Sequence, residues 1–374
     1  MPERVVTNGD LAEVMDTSDE WIKTRTGIER RHIAEENQAT AAMAIEAARA
    51  ALAVADADPR EVDLVIVGTA TPDTCMPSTA CLVQNALGAS RAGALDLNAG
   101  CSGFVYALAM GHQAIASGEH ELVMVVGADT MSRIVNQQDR STAVIFGDGA
   151  GAVLLRASEG TAGIRATALG SDGSGGDLLM VPAGGSAMPA CAETVAQGLH
   201  YLAMDGRQVY RFASRTVPRV IEQVLEKAKM SLDEVDLIIP HQANLRIMEA
   251  VAKRLHLPDE KFYANIDEYG NTSAASVPIA LCEAVDKEYV APGQKIVLVG
   301  FGAGLTWAAV ALEWGPSVQE ISAVFYRRWL RWVVYRYADM HTRWMRFVRS
   351  NGGRAWRSAR GQWDRLRHRD SGSE

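Results

Sequence analysis

The sequence predicts an α/β fold built from two similar halves, and three observations predict it. A helix, the tetrapeptide EVDL and an apolar strand occur together twice, with Glu234 following Glu61 by 173 residues. The next apolar strands, LVMVVGADT from Leu122 and IVLVGFGAG from Ile296, begin 174 residues apart. Each half then places the pattern FGxG, Phe146 to Gly149 and Phe301 to Gly304, ahead of another apolar strand. Helices alternating with wholly apolar strands imply sheets covered by helices. Two unrelated doubly wound domains would also read as α/β, but would not keep so constant a spacing.

The 374 residues, 48% hydrophobic and 22% charged, suffice for a large buried core and for two domains or one duplicated one. No apolar run reaches the roughly 18 to 20 residues that span a bilayer, and the start MPERVVTNGD lacks a signal-peptide layout, so a cytoplasmic location is expected. The five cysteines (75, 81, 101, 191 and 282) are odd in number and scattered without a CxxC pair, which suggests neither a disulfide framework nor a zinc site. Residues 317–374 hold 13 Arg, no Lys and 5 acids, so that a chain of net charge −8 divides into a body at −16 and a tail at +8. The expected organisation is a first half over 1–160, a second over 161–316 and a basic tail over 317–374.

In the first half, Ala44, Ala47, Ala48 and Ala51 mark a helix by their period, and a buried strand runs from Val62 to Thr69. A strand from Ala94 to Asn98, a turn of small residues and a helix beginning near Cys101 follow. That places Cys101 at a helix N-terminus, where free N–H groups and the macrodipole favour a thiolate and can stabilise an oxyanion. An isolated cysteine is otherwise an inert small hydrophobe.

The second half repeats the helix with Val217, Val220, Ile221 and Val224, and its strand VDLIIP runs into His241. A residue just past the C-terminal end of a strand is where α/β proteins collect function, although a lone histidine is by default a surface or core residue. HQANLRIMEAVAKRL continues as a helix. In YGNTSAASVPIALCEAV, Asn271 lies in a turn before a further helix, three residues short of the position that the 173-residue offset assigns to Cys101. The duplication therefore sets the Asn271 loop opposite the Cys101 loop. Asn-Thr-Ser is also a common helix cap.

Together the three residues suggest a chemistry. A cysteine accepts an acyl group as a thioester, while a neutral histidine and an amide donate hydrogen bonds to one developing oxyanion, as enolate formation requires. A papain-like Cys-His-Asn protease is the competing reading, and the duplicated α/β layout and the lack of aromatic context around GCS disfavour it. FGDGAG and GFGAGLTW each precede a strand and lack a phosphate-loop lysine, so they read as tight turns whose amides approach a substrate or the other half.

DTSDEWIKTRTGIERRHIA, AGCSGF, FGDGAGAVLL, HQANLRI, GNTSAASVP and GFGAGLTW, in this order, resemble the signature segments of β-ketoacyl-acyl-carrier-protein synthase III and cover nearly all of residues 3–314. The resemblance implies a thiolase-like fold, with two α/β halves in a five-layered α-β-α-β-α arrangement, and a homodimer. It implies that Cys101 takes the acyl group from acyl-CoA, that His241 and Asn271 hold the malonyl thioester during decarboxylation, and that the backbone N–H groups of Cys101 and Ala303 form the oxyanion hole. Trp21 and Arg140, with Arg25 nearby, match residues that hold the CoA adenine; Asn244 matches a pantetheine-tunnel residue, and Phe301 the aromatic beside the histidine. Arg246 matches the docking arginine for the acidic acyl carrier protein, and Lys253 and Arg254 extend its basic face. No cofactor, metal or nucleic acid is expected, acyl-CoA and malonyl carrier protein being substrates. A non-condensing acyltransferase on the same fold is the alternative, which retention of both His241 and Asn271 disfavours.

Two departures from the family carry expectations of their own. Members start about ten residues earlier with a strand, whose loss would remove a central sheet element and about several kcal/mol of burial. The tail after Pro316 mixes Trp, Tyr and Arg at spacings compatible with an amphipathic helix, suited to an anionic membrane or an acidic partner, but its Arg-rich, Lys-free composition reads equally as a frame-shifted stretch without function. Residues 1–316 alone are expected to keep full activity. Met76 is expected near the acyl pocket at the dimer contact.

Overall fold

A computed structural model describes residues 1–315, apart from 159 and 161, and residues 329–349. The first sheet contains β1 (Leu64–Gly68), β2 (Gly93–Leu97), β3 (Leu122–Thr130) and β4 (Asp148–Arg156) in the order β2-β1-β3-β4. β1 runs parallel to β2 and β3, and β4 runs antiparallel to β3. The second sheet contains β5 (Gly163–Ser171), β6 (Leu237–Pro240), β7 (Lys295–Gly302) and β8 (Thr306–Glu313) in the order β6-β7-β8-β5, with only β6 and β7 parallel. The β-branched runs at the centres of these strands are buried on both faces, which explains why they show no alternation in sequence.

Three helix layers enclose the two sheets. α2 (Thr40–Val54) and α3 (Thr79–Leu87) cover the outer face of the first sheet, packing Ala44, Ala48, Leu52, Val83 and Leu87 against Val65 and Met124. They follow a shorter helix, α1 (Asp19–Thr26). α4 (Gly103–Ala116) and α7 (Ser276–Asp286) lie between the sheets, where Phe104, Leu108, Val277 and Leu281 share one core with Ile66, Val125, Ile239 and Leu298. α5 (Gly206–Ala228) and α6 (Leu245–Leu255) cover the second sheet through Val217, Ile221, Val224 and Val251. The result is the five-layered α-β-α-β-α arrangement.

The halves differ at one edge. In the second sheet β5 pairs antiparallel with β8 along its length, whereas no strand among the described residues pairs with the equivalent edge of β4. By analogy with β5, a strand pairing with β4 would be an edge strand, which corrects the expectation that it is a central sheet element.

Within the tail, residues 329–349 form a helix, α8, which lies on α2 and α3. The Arg331 guanidinium bonds Asp56 at 2.8 Å with both side chains almost buried, and the Arg49 guanidinium sits 4.9 Å above the Tyr335 ring. Val334 rests on Gly88, where a Cβ would lie only 2.7 Å from its Cγ1. Trp329, Trp332, Tyr337, Met340, Trp344 and Phe347 face outward. The amphipathic spacing read from sequence is helical over this stretch, while the tail's residues 317–328 and 350–374 lie outside the described residues. Among the described residues no helix is long and apolar enough to cross a membrane.

Candidate active site

Cys101 is buried in the turn between β2 and α4, and Ser102 is the residue that caps the helix, which starts two positions beyond the cysteine. Two glycines shape this turn. A Cβ on Gly100, whose φ is +53°, would lie 2.9 Å from the Ala303 nitrogen, and one on Gly302 would lie 2.7 Å from the Cys101 nitrogen. The Cys101 and Ala303 loops can therefore approach each other only because neither glycine carries a side chain. Among the described residues, neither the Cys101 nor the Ala303 N–H donates a turn, loop or cap hydrogen bond to a backbone carbonyl, while the Cys101 N–H contacts its own sulfur.

The ionisation of Cys101 differs from the sequence expectation. Burial pushes the thiol up to about 12, a hydrogen bond from Ser273 pulls the other way, and the nearby carboxylate of Asp129 raises it further. Desolvation is the largest of these influences. Cys101 therefore rests as a thiol, and the thiolate predicted from its place at the helix end is not the resting form.

His241 follows directly after β6, fixed by its N–H donating to the Val299 carbonyl at 2.8 Å. Its ring meets Phe301 edge-on, with centroids 5.1 Å apart at 70°. Burial pulls its pKa down to about 3, so the imidazole is neutral at pH 7 and presents one N–H. Its Nδ1 is buried and has no hydrogen-bond partner among the described residues.

Asn271 is clamped from the first half: its N–H donates to the Ile145 carbonyl at 2.9 Å, and its carbonyl accepts from the Gly147 N–H at 3.0 Å. Its side-chain Oδ1 accepts from the Ser273 N–H at 2.8 Å. The oxygen end of the amide is thus committed, which leaves the NH₂ end as a donor. Cys101, His241, Asn271 and Phe301 line one cavity of about 420 Å³, with Asn244 and Arg246 also on its wall.

Both arginines proposed for adenine contact stack on Trp21, Arg25 at 4.4 Å and Arg140 at 4.7 Å from the ring centroid. A base entering between Trp21 and Arg140 would therefore displace a guanidinium already stacked there. Asn244 caps α6 through its Oδ1, bonded by the Arg246 N–H, and its amide donates to the Arg25 carbonyl at 3.0 Å. It joins the cavity wall to the Trp21 helix. Arg246, Lys253 and Arg254 are all exposed on α6, with Arg246 nearest the cavity. Met76 is 86% exposed and lies off the cavity wall.

Two residues here escaped the sequence reading. Asp129, at the end of β3, is fully buried, and its Oδ1 accepts from the Thr69 and Thr71 hydroxyls and from the Ala70 and Thr71 N–H groups. Its Oδ2 accepts from the Ala274 N–H at 3.0 Å, and burial raises its pKa despite these donors. Ser273 has a φ of +54° and directs its hydroxyl at the Cys101 sulfur, 3.4 Å away. In sequence Ser273 fits a capping triplet, and Asp129 the end of an apolar strand.

Comparison with known proteins agrees with this geometry. The profile described as 3-oxoacyl-[acyl-carrier-protein (ACP)] synthase III matches residues 95–173, and that of its C-terminal region matches residues 225–314. The chain is 50% identical over 315 residues to the β-ketoacyl-[acyl-carrier-protein] synthase III of Symbiobacterium thermophilum, covering 84% of this chain and 96% of that protein. It is likewise 50% identical over 314 residues to the enzyme of the same name from Caldanaerobacter subterraneus, covering 84% and 95%. The crystal structure of 3-oxoacyl-[acyl-carrier-protein] synthase III from Aquifex aeolicus superposes with a TM-score of 0.78 at 46% identity, covering 84% of this chain and 97% of that one.

Proposed function

The chain belongs to the β-ketoacyl-[acyl-carrier-protein] synthase III family, and on that footing we propose that Cys101, His241 and Asn271 carry out a decarboxylative Claisen condensation. It is a condensing acyltransferase of fatty-acid biosynthesis. The observation that carries the residue assignment is the pairing of a neutral His241 with an Asn271 amide whose oxygen is occupied, both on the cavity that Cys101 enters. An amide cannot take a proton and burial weakens His241 as a base, so the pair suits donation to an enolate better than base-driven hydrolysis.

The Cys101 sulfur attacks the acyl-CoA carbonyl; the new S–C bond forms as the C–S bond to CoA breaks, and the thiol proton ends on the departing CoA. The N–H groups of Cys101 and Ala303 hold the oxyanion of this step. Malonyl carrier protein then loses carbon dioxide, and the electron pair of the broken C–C bond remains as an enolate held by the His241 N–H and the Asn271 NH₂. Its carbon attacks the acyl carbon, the S–C bond to Cys101 breaks, and the sulfur recovers a proton from water. The products are CoA, carbon dioxide and a 3-oxoacyl carrier protein. Every atom comes from substrate, cysteine or water, so the route calls for no cofactor.

Trp21, Arg25 and Arg140 are assigned to the CoA adenine, with both guanidinium groups already close to the indole, at 4.4 and 4.7 Å from its centroid. Asn244 and Phe301 are assigned to the pantetheine channel, and Arg246, Lys253 and Arg254 to the acidic carrier protein. Within this reading the halves are 1–160 and 161–316, and the active form is a cytoplasmic homodimer. The free edge of β2, where Leu95 is 43% exposed, suits pairing with a second copy. Incubating the protein with acetyl-CoA and malonyl carrier protein and following carbon dioxide tests the assignment. Release coupled to 3-oxoacyl product is expected; acylation of Cys101 without release, across short acyl-CoAs, would sink it.

A further inference from the structure

Ser273 is the one hydroxyl bonded to the Cys101 sulfur among the described residues, and three constraints hold it there. Its φ of +54° is a conformation that a non-glycine residue adopts only when its surroundings enforce it. Its N–H is tied to Asn271 Oδ1 at 2.8 Å, and the next N–H, of Ala274, is tied to the buried Asp129 carboxylate at 3.0 Å. Gly127 completes the grip: a Cβ there would lie 2.3 Å from the Ala274 carbonyl oxygen, so the loop is pressed onto β3. Ser273 itself is 1% exposed, so its hydroxyl is shielded from bulk water.

We propose that Ser273 is a further catalytic residue, donating its hydroxyl hydrogen bond to the Cys101 sulfur whenever negative charge develops there. The inference rests on the condensing role assigned above, because that role brings charge onto sulfur twice. It develops first when the thiol is drawn toward the acyl-CoA carbonyl. It returns when the enolate carbon attacks the acyl carbon and the S–C electron pair collapses onto sulfur. A sulfur so fully desolvated is a poor thiolate, and beside the cysteine's own N–H the Ser273 hydroxyl, which also approaches the Asp129 carboxylate, is the side-chain donor within reach of it. The hydroxyl keeps its proton throughout, and the proton that restores the thiol comes from water.

The test separates sulfur chemistry from enolate chemistry. In Ser273→Ala, alkylation of Cys101 by iodoacetamide at pH 8 and acylation by acetyl-CoA are both expected to slow by about tenfold or more, the equivalent of about one pKa unit on sulfur. Decarboxylation of malonyl carrier protein, which passes through His241 and Asn271 and not through sulfur, is expected to stay within about twofold of the unsubstituted protein. Ser273→Gly, which removes the hydroxyl while relaxing the positive φ, should behave in the same way. Alkylation at the unsubstituted rate in both variants would overturn the inference. So would a parallel loss of decarboxylation in both, since that outcome means Ser273 only braces Asn271. If the unsubstituted protein itself neither condenses nor decarboxylates, the condensing role fails rather than the serine.

Discussion

The two halves use one architecture for opposite electrostatic tasks. At the end of β2 the first half buries a cysteine that burial holds as a thiol, up to about 12. At the end of β6 the second half buries a histidine that burial holds neutral, down to about 3. The same physical cause, loss of water around the charged form, moves the acid up and the base down. The difference teaches that neither residue acts as a resting ion. Each half supplies a neutral group whose charge, or whose neighbour's charge, appears only during reaction, and the glycines at 100 and 302 bring the loops close enough to cooperate.

Substituting one half at a time should split the reaction. Cys101→Ala is expected to abolish condensation, by on the order of 10³-fold or more, because the acyl group then has no covalent holder. The same variant should still release carbon dioxide from malonyl carrier protein. If decarboxylation fell with condensation, the division of labour between the halves would be wrong.

Asn271→Ala is the converse and a smaller effect. Removing one donor from an oxyanion site costs about a hundredfold to a thousandfold, so decarboxylation should fall by that factor while acetyl-CoA still labels Cys101, as seen by mass of the intact protein. Loss of labelling to the same extent would show that Asn271 supports the sulfur as well.

The sequence made some of this visible and not the rest. The paired strands and both FGxG turns were legible because burial on two faces leaves continuous apolar runs and because the offset between Glu61 and Glu234 recurs. His241 stood out by following a buried strand, and Asn271 by the offset from Cys101. The thiol state of Cys101 was not legible, since proximity to a helix end is local but desolvation comes from residues far along the chain. Asp129 and Ser273 were invisible for a related reason: their partners lie far along the chain or two residues away without a mark, one contact of each crosses between the halves, and each residue alone fits an ordinary strand end or cap. The docking of α8 depends on Gly88 and Asp56, which carry no mark in sequence of what will cover them.

The pH dependence gives a finer probe of the second half. With His241 near 3, decarboxylation should be flat between pH 5 and 8; an inflexion near the ordinary histidine value of 6.5 would show that the imidazole ionises in the site. Stability has a defined sign as well. The folded pKa lies below the unfolded one, so this contribution is full above about 6.5 and is lost as pH falls toward 3, where the unfolded chain binds a proton that the folded chain refuses. His241→Gln should flatten that part of the acid limb of a chemical-denaturation series.

The smallest effect expected comes from α8, a helix of the tail that lies outside both halves. α8 covers only the outer helices of the first half, touching α2 and α3 through Tyr335, Val334 and Thr342, and none of its residues lines the cavity. Ending the chain at residue 315 should therefore leave condensation within about twofold of the full protein. It re-exposes the modest apolar surface under Val334 and Ala338 and removes the contact between Arg331 and Asp56. Once the cover is gone both of the surfaces it shielded meet water, so the net cost is about 1–2 kcal/mol, seen as a fall of a few degrees in Tm. A truncated protein that loses activity while keeping its Tm would mean that α8 acts on the site through the first half, and the asymmetry between the halves would then extend to function.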